Sequence, residues 1–395
     1  METVYKFTRS LLIALFIFGL GIGVGYGASN VLRPYQPTED ESAAFGLYWE
    51  VWGLVQERFY GEIPNDTQST YGAIRGALAT LNDPYTIFVE PQPRALEKAN
   101  LDGQFGGIGA FVLRDETGRV ILDPMVDSPA ERAGLLRGDI LVKVDDAAIA
   151  TGMSTEDVVL LIRGEVGTEV VLTVERGEAA ELIEITIERA IIETPSVEWR
   201  LLEEDPAIGY IKISLFSART SKELERALDD LTEQGAQQFI LDLRDNGGGL
   251  LDSAIDVASQ FLREGVILFE DRRGEEEKIY TARRGGKALD QTIAVLVNAG
   301  TASASEIVAG ALRDNGRATL IGERTFGKGS VQLVYDLSDE SSLHVTVAKW
   351  LTPDRHHIDG QGLSPDIEVL FSEDDHAAGR DPQFERAITF LQNGK

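Results

Sequence analysis

The sequence contains no cysteine. That absence removes disulfides, a thiolate nucleophile and cysteine zinc sites together. Histidine is scarce too: His344, His356, His357 and His376 are the whole set, so a histidine base has few candidates. Positive charge is also short, with 37 Lys and Arg against 65 Asp and Glu and a formal net charge of -28. Such a surface repels phosphate backbones, and no nucleic-acid partner is expected. What remains is ordinary: 43% hydrophobic and 26% charged residues describe a globular protein, and 395 residues allow two or three domains.

At the N-terminus, Lys6 and Arg9 precede an uncharged run from Leu11 to Ala28. At about 1.5 Å per residue a helix there is about 27 Å long, just enough to span a hydrocarbon core. Residues 1-28 are therefore expected to be an uncleaved membrane anchor. The alternative is an export signal cut near Gly25-Tyr26-Gly27. The positive flank places the remainder outside the cytoplasm. Gly19, Gly21, Gly23, Gly25 and Gly27 include GxxxG spacings that would let two anchors pack into a homo-oligomer. A glycine-tolerant lipid helix explains them equally well.

Residues 29-42 carry prolines and acids and read as a linker. From 43 to 100 the pattern is helical: Phe45, Trp49, Trp52, Val55 and Phe59 recur at helical spacing, and helices are expected over Ala43–Tyr60, Thr70–Leu81 and Pro93–Asn100. No chemistry is visible there, and packing is the expected role. From 101 to 192 the texture changes to short strands with two helices, Ser128–Ala133 and Thr155–Ile162. Within it, Phe105-Gly106-Gly107-Ile108-Gly109-Ala110 is a glycine loop whose successive N–H groups can form an anion nest. The strand edge behind such a loop can accept an extended peptide as an added strand. Gly107, Ile108, Gly109 and Ala110 are the candidate carboxylate-binding residues. Taken alone, the same loop is simply a tight turn.

From 193 to 370 strands alternate with helices, which argues for a sheet with covering helices. Residues 371-395 close with a helix over Asp381–Asn393. The candidate chemistry sits in this second half. The apolar run Ile293–Val297 turns through Gly300 into Thr301-Ala302-Ser303-Ala304-Ser305-Glu306. Ser303-x-x-Glu306 ahead of an apolar run is a capping-box pattern, which needs no catalysis. The same strand-to-helix corner suits a nucleophile, with free amides at the helix start for an oxyanion.

Lys328, between Gly327 and Gly329, is the candidate base. Gly322 to Lys328 nearly spells a phosphate loop, but Gly329 stands where Ser or Thr would bind magnesium. A solvated lysine on a glycine turn is the other reading. To act as a base its pKa must fall from about 10.4 to about 7, on the order of 4–5 kcal/mol of selective destabilisation of the ammonium. Burial without a carboxylate partner can do that. If Ser330–Tyr335 is extended, Gln332 shares parity with Lys328 and can hold the amine without charging it. Asp242-Leu243-Arg244-Asp245-Asn246-Gly247-Gly248-Gly249 ends a buried strand. Its amides offer an oxyanion donor, or its glycines merely supply positive φ. His356-His357 would face opposite sides of a strand and lack an acid at ligand spacing, so a metal hydrolase is not expected.

Two resemblances add to this reading. Ser128-Pro129-Ala130-Glu131-Arg132-Ala133-Gly134-Leu135-Leu136-Arg137-Gly138-Asp139-Ile140, following the glycine loop, resembles the most recognisable run of a PDZ module. The Asp242–Gly249 run, Thr301–Glu306, Gly322–Gly329 and Gly360-Gln361-Gly362-Leu363-Ser364-Pro365-Asp366 appear in the order found in the carboxyl-terminal processing proteases. The chain resembles that family, the tail-specific serine peptidases with a PDZ module, from about Ala43 to Val369. Leu363 and Ser364 are mild variants. The resemblance implies Ser303 as nucleophile, Lys328 as general base and Gln332 as its orienting partner. It also implies Gly249, with Gly248 as the alternative, and Ala304 as oxyanion amides, and no cofactor or metal. Its implied partners are protein or peptide substrates with free apolar C-termini. The fold class expected is α/β and α+β multidomain: a PDZ module (a β-sandwich or barrel with two helices) joined to a βα-repeat serine peptidase core, with an N-terminal helical region. A non-catalytic PDZ adaptor on the same scaffold is the rival, and the intact Ser303, Lys328 and Gln332 argue against it.

Overall fold

The computed structural model describes residues 37-115, 117-150, 152-177 and 180-394. The expected anchor at 1-28 lies outside them. Among the described residues no helix is long and apolar enough to cross a membrane.

The chain divides into two compact units between Thr70 and Tyr71. The described part of the first holds α1 (Glu39–Arg58) and the opening of α2 (Asp66–Ala79). α1 begins inside the expected linker because Thr38 and Glu41 cap it reciprocally. Glu41 N–H donates to Thr38 Oγ1 at 3.2 Å, and Thr38 N–H donates to Glu41 Oε2 at 2.7 Å. Within α1 the Tyr48 ring stacks on that of Trp52.

The second unit completes α2 and continues with β1 (Ile87–Val89) and α3 (Pro91–Asp102). α3 has proline in its first turn and ends on Gly103 at φ 68, the two signals that start and stop a helix. Next come β2 (Gln104–Gly107), β3 (Ala110–Arg114), β4 (Val120–Pro124), α4 (Pro129–Arg132), β5 (Asp139–Val144), β6 (Ala147–Ala148), α5 (Thr155–Ile162), β7 (Glu169–Arg176), β8 (Glu181–Glu188) and β9 (Ala190–Glu193). Their antiparallel sheet runs β3-β4-β5-β7-β8, with β6 on β5. β2 pairs with β9, bringing the two ends of this stretch together. β7 buries Val170, Leu172 and Val174 on one face, the period of two a half-buried strand requires. They pack against Val158 and Ile162 of α5 in one core.

The remainder is β10 (Val197–Leu201), β11 (Ile208–Ile213), α6 (Thr220–Glu233), β12 (Gln238–Asp242), α7 (Leu251–Ser259), β13 (Val266–Arg272), β14 (Lys278–Thr281), β15 (Thr292–Val297), α8 (Ala304–Asp314), β16 (Thr319–Gly322), β17 (Ser330–Asp336), β18 (Ser342–Leu351), β19 (Ile367–Glu368), α9 (Glu373–Ala377) and α10 (Pro382–Asn393). The main sheet has the order β10-β11-β12-β15-β16-β19, and only the β10–β11 pair is antiparallel. α6, α7 and α8 cover one face through Leu224, Ala254 and Val308; α10 covers the other through Ala387 and Leu391. β12 and β15 are therefore buried on both sides, as their unbroken apolar runs demand. A second sheet, β1-β18-β13-β14 with β17 also on β18, flanks them.

Register places the site. β12 and β15 run side by side with Asp242 opposite Leu296, so the loops that leave their carboxyl ends meet. This is the edge where parallel α/β sheets hold their ligands.

Candidate active site

Ser303 stands between β15 and α8 with φ 56 and ψ -117, a conformation that costs a non-glycine residue about 1–3 kcal/mol. The surrounding turn fixes it there. Thr301 Oγ1 donates to Leu243 O at 2.9 Å, Ala302 N–H to Asn246 O at 3.0 Å and Ser305 Oγ to the same oxygen at 2.8 Å. Asn246, fully buried, is held in turn by Ile213 O at 2.8 Å. Between Thr301 and Leu312 every residue is buried but Ser303. A strained serine presented at a strand-to-helix corner is the geometry of an exposed nucleophile.

The glycine run packs directly on it. A Cβ at Gly248 would lie 2.8 Å from Ser303 Cβ and 3.1 Å from Ala304 N, so no side chain fits. Gly248 N–H is already given to Asn246 Oδ1 at 2.9 Å. Gly249 N–H and Ala304 N–H donate to no described group. Of the two glycines, Gly249 is thus the one with an unused donor.

The Lys328 backbone meets the same Glu306 carboxylate as that of Ser303. Gly327 and Gly329 are required because a Cβ on either would strike backbone nitrogen, Gly362 N at 2.8 Å and Asp359 N at 2.5 Å. Lys328 Nζ has no hydrogen bond or ion pair with a described residue and lies 5.0 Å from the centroid of the Tyr85 ring. Burial pushes its pKa below the ordinary lysine value, and Glu97 pulls it part of the way back. Gln332 does not hold this amine. Its Nε2 donates to Ser330 Oγ at 3.1 Å, and Lys328 lies in irregular chain ahead of β17, where the strand alternation behind the expected alignment does not apply.

Glu306 joins the two halves, and sequence reasoning assigned it only a capping role. Its fully buried carboxylate accepts Ser303 N–H at 2.9 Å, Thr325 Oγ1 at 2.5 Å, Gly327 N–H at 2.8 Å and Lys328 N–H at 2.9 Å. Burial raises its pKa, while these four donors oppose the rise. The one available signal was a charged residue leading an apolar helix face, Glu306-Ile307-Val308. Arg244 was likewise unassigned. It pairs with buried Asp242 at 2.6 Å and with Asp381 at 2.9 Å, tying the glycine loop to the start of α10.

The remaining candidates form the glycine loop ahead of β3. Gly107, Ile108 and Gly109 are buried, with the Ile108 side chain in the core, and Gly109 has φ 71. Ile108 O and Gly109 O accept from Ala130 N–H and Met125 N–H at 2.8 and 2.9 Å, while the Ile108 and Gly109 N–H groups donate to no described residue. Ala110 opens β3, which pairs with β4 alone and so leaves one edge free, with α5 packed beside it. That combination can accept a carboxylate and an extended chain.

Residues 207–369 match the family model described as Peptidase family S41, and residues 120–176 match that of a PDZ domain. The chain is 39% identical over 350 residues to the carboxyl-terminal-processing protease of Synechocystis, covering 87% of this chain and 82% of that one. It belongs to the carboxyl-terminal-processing proteases. This protease is also 38% identical over 346 residues to the carboxy-terminal processing protease CtpA of Bacillus subtilis, covering 87% of this chain and 72% of the relative. A solved structure from Bacteroides fragilis described as an S41 protease superposes with a TM-score of 0.53 at 18% identity, covering 92% of this chain and 99% of the other; it shows the fold alone. The protease is accordingly a serine peptidase with a PDZ domain, and its substrates are proteins or peptides.

Proposed function

We propose that this protease works outside the cytoplasm, attached through residues 1-28, captures the C-terminal tail of its substrate on the Gly107–Ala110 loop, and cleaves with Ser303 and Lys328. The observation that supports the dyad is the shared carboxylate: Glu306 binds the backbone amides of both residues, while the half-buried lysine amine has no ion pair with a described residue. Neutral Lys328 takes the Ser303 proton as Oγ attacks the scissile carbonyl. The oxyanion forms against Gly249 and Ala304 N–H, and the lysine returns its proton to the leaving amine. Water then releases the acyl group by the reverse transfer. The amine must swing from Tyr85 to Ser303 for the first step, with Gln332 as its proposed partner there. Catalytic hydrogen bonds commonly tighten only once substrate is bound.

The sign of the pH dependence follows from Lys328. Its folded pKa is below the ordinary value, so kcat/KM rises with pH through one apparent pKa lower than that of free lysine. Stability moves the same way. Between the folded pKa and the unfolded one, the unfolded chain binds a proton that the folded chain has lost, so unfolding becomes harder as pH rises through that window. A pH–rate profile checks this, and a flat one contradicts it.

Tail capture is tested with a Ser303→Ala chain, which binds without turnover. A peptide with a free apolar C-terminus is expected to bind several-fold more tightly than its amidated form by calorimetry. The amide loses the charge that the N–H nest receives but keeps strand pairing to β3. Equal affinities would reduce the glycine loop to a turn.

A further inference from the structure

The segment before β1 lies outside both matched regions, yet it brings an aromatic ring to the base. Asp83 knots it: Tyr85 N–H donates to Asp83 Oδ1 at 3.1 Å and Thr86 Oγ1 donates to Asp83 Oδ2 at 2.6 Å. Thr346 N–H reaches back to Thr86 Oγ1 at 3.1 Å, and β1 pairs with β18 so that Ile87 lies opposite His344. The backbone at Tyr85 is thereby fixed beside β18, and the centroid of its ring lies 5.0 Å from Lys328 Nζ.

The charged groups nearby are engaged elsewhere. Glu97 of α3 is paired with Arg94 at 3.0 Å and with His344 Nε2 at 3.3 Å, and Arg94 also holds Asp336 at 3.0 Å. Glu306 of α8 is taken up by its four donors. Burial lowers the His344 pKa, with Arg94 and Lys328 adding to the effect against Glu97. Burial, with Asp359, Glu306 and Asp83, raises that of Tyr85, which stays a neutral phenol. An aromatic face, and no carboxylate, therefore receives the amine. A carboxylate would lock the lysine in its charged form. A ring attracts an ammonium far more weakly and a neutral amine hardly at all.

We propose that Tyr85 is a positioning residue for the base: its ring holds the protonated Lys328 amine in the resting enzyme and releases it to Ser303 once the proton is gone. The inference rests on the Ser303/Lys328 reading. It assigns to the N-terminal part of the second unit a share in the chemistry of the peptidase core.

The test is the pH profile of kcat/KM for the full chain carrying Tyr85→Leu, Tyr85→Phe or Tyr85→Trp. Loss of the ring favours the neutral amine, so Tyr85→Leu is expected to move the apparent pKa down by about half a unit to one unit. Tyr85→Phe keeps the ring and superimposes on the parent, while Tyr85→Trp, the stronger cation binder, moves the pKa up. A leucine profile unchanged from the parent, or a phenylalanine profile displaced as far as leucine's, overturns the proposal. If Tyr85→Leu does not fold, the opposed phenylalanine and tryptophan results still decide. Lys328→Ala run alongside separates the two ideas: its activity bears on the dyad, and the Tyr85 series bears on the ring.

Discussion

Ser303→Ala and Lys328→Ala each lower kcat/KM on an unstructured protein substrate by about 10^4-fold or more, with the fold intact. The serine variant loses the Ser303 hydroxyl, and the neighbouring Thr301 and Ser305 hydroxyls are already given to Leu243 O and Asn246 O. The lysine variant leaves Ser303 without a proton acceptor, since Glu306 is saturated by four donors and His344 is already paired with Glu97. Lys328→Arg fails to the same degree although it keeps the charge, because a guanidinium stays protonated and cannot act as a base. If these groups act as one unit, as proposed, the Ser303→Ala/Lys328→Ala double variant is hardly worse than either single one. Steady-state kinetics on the three purified chains checks this.

Glu306→Ala carries the second large effect, and it strikes stability as well as rate. It strands the N–H groups of Ser303, Gly327 and Lys328 and the Thr325 hydroxyl in a buried site. Each unmade buried hydrogen bond costs about 1–3 kcal/mol; with partial relaxation a total loss of about 3 kcal/mol or more is expected. Activity falls further than stability alone requires, because the amides that position nucleophile and base are no longer tied together. Glu306→Gln keeps the volume but turns an NH2 toward the donors, so it loses less stability and still lowers kcat by about tenfold or more. Urea unfolding together with kcat separates the two contributions. A Glu306→Ala chain with parental kcat would show that the shared carboxylate is only a helix cap.

What the sequence revealed was what local residues determine. The Ser303 corner follows from an apolar strand, a glycine turn and a helix start in immediate succession. The turn that carries Lys328 follows from its flanking glycines, each of which meets another backbone in the fold. What stayed hidden depends on distant partners. β2 contains Gly106 and Gly107 and is a strand only because 190–193 lie beside it. β1, three residues long, exists through its pairing with β18, and with it goes the place of Tyr85. Lys328 lies just ahead of β17, where the alternation of a strand does not apply, and Gln332 turns to Ser330 instead. β10, by contrast, is legible: Val197, Trp199 and Leu201 alternate with charged residues as a half-buried strand should.

The central claim is that Ser303 carries the acyl group, and one measurement addresses it directly. An activated peptide ester is mixed with the full chain, the reaction is quenched in acid within the turnover time, and the intact and digested masses are read. The account predicts a mass increase equal to the acyl group, confined to the peptide containing Ser303, and absent from Ser303→Ala. An adduct on another residue, or rapid cleavage with no adduct at any quench time in a chain that turns over, would contradict it.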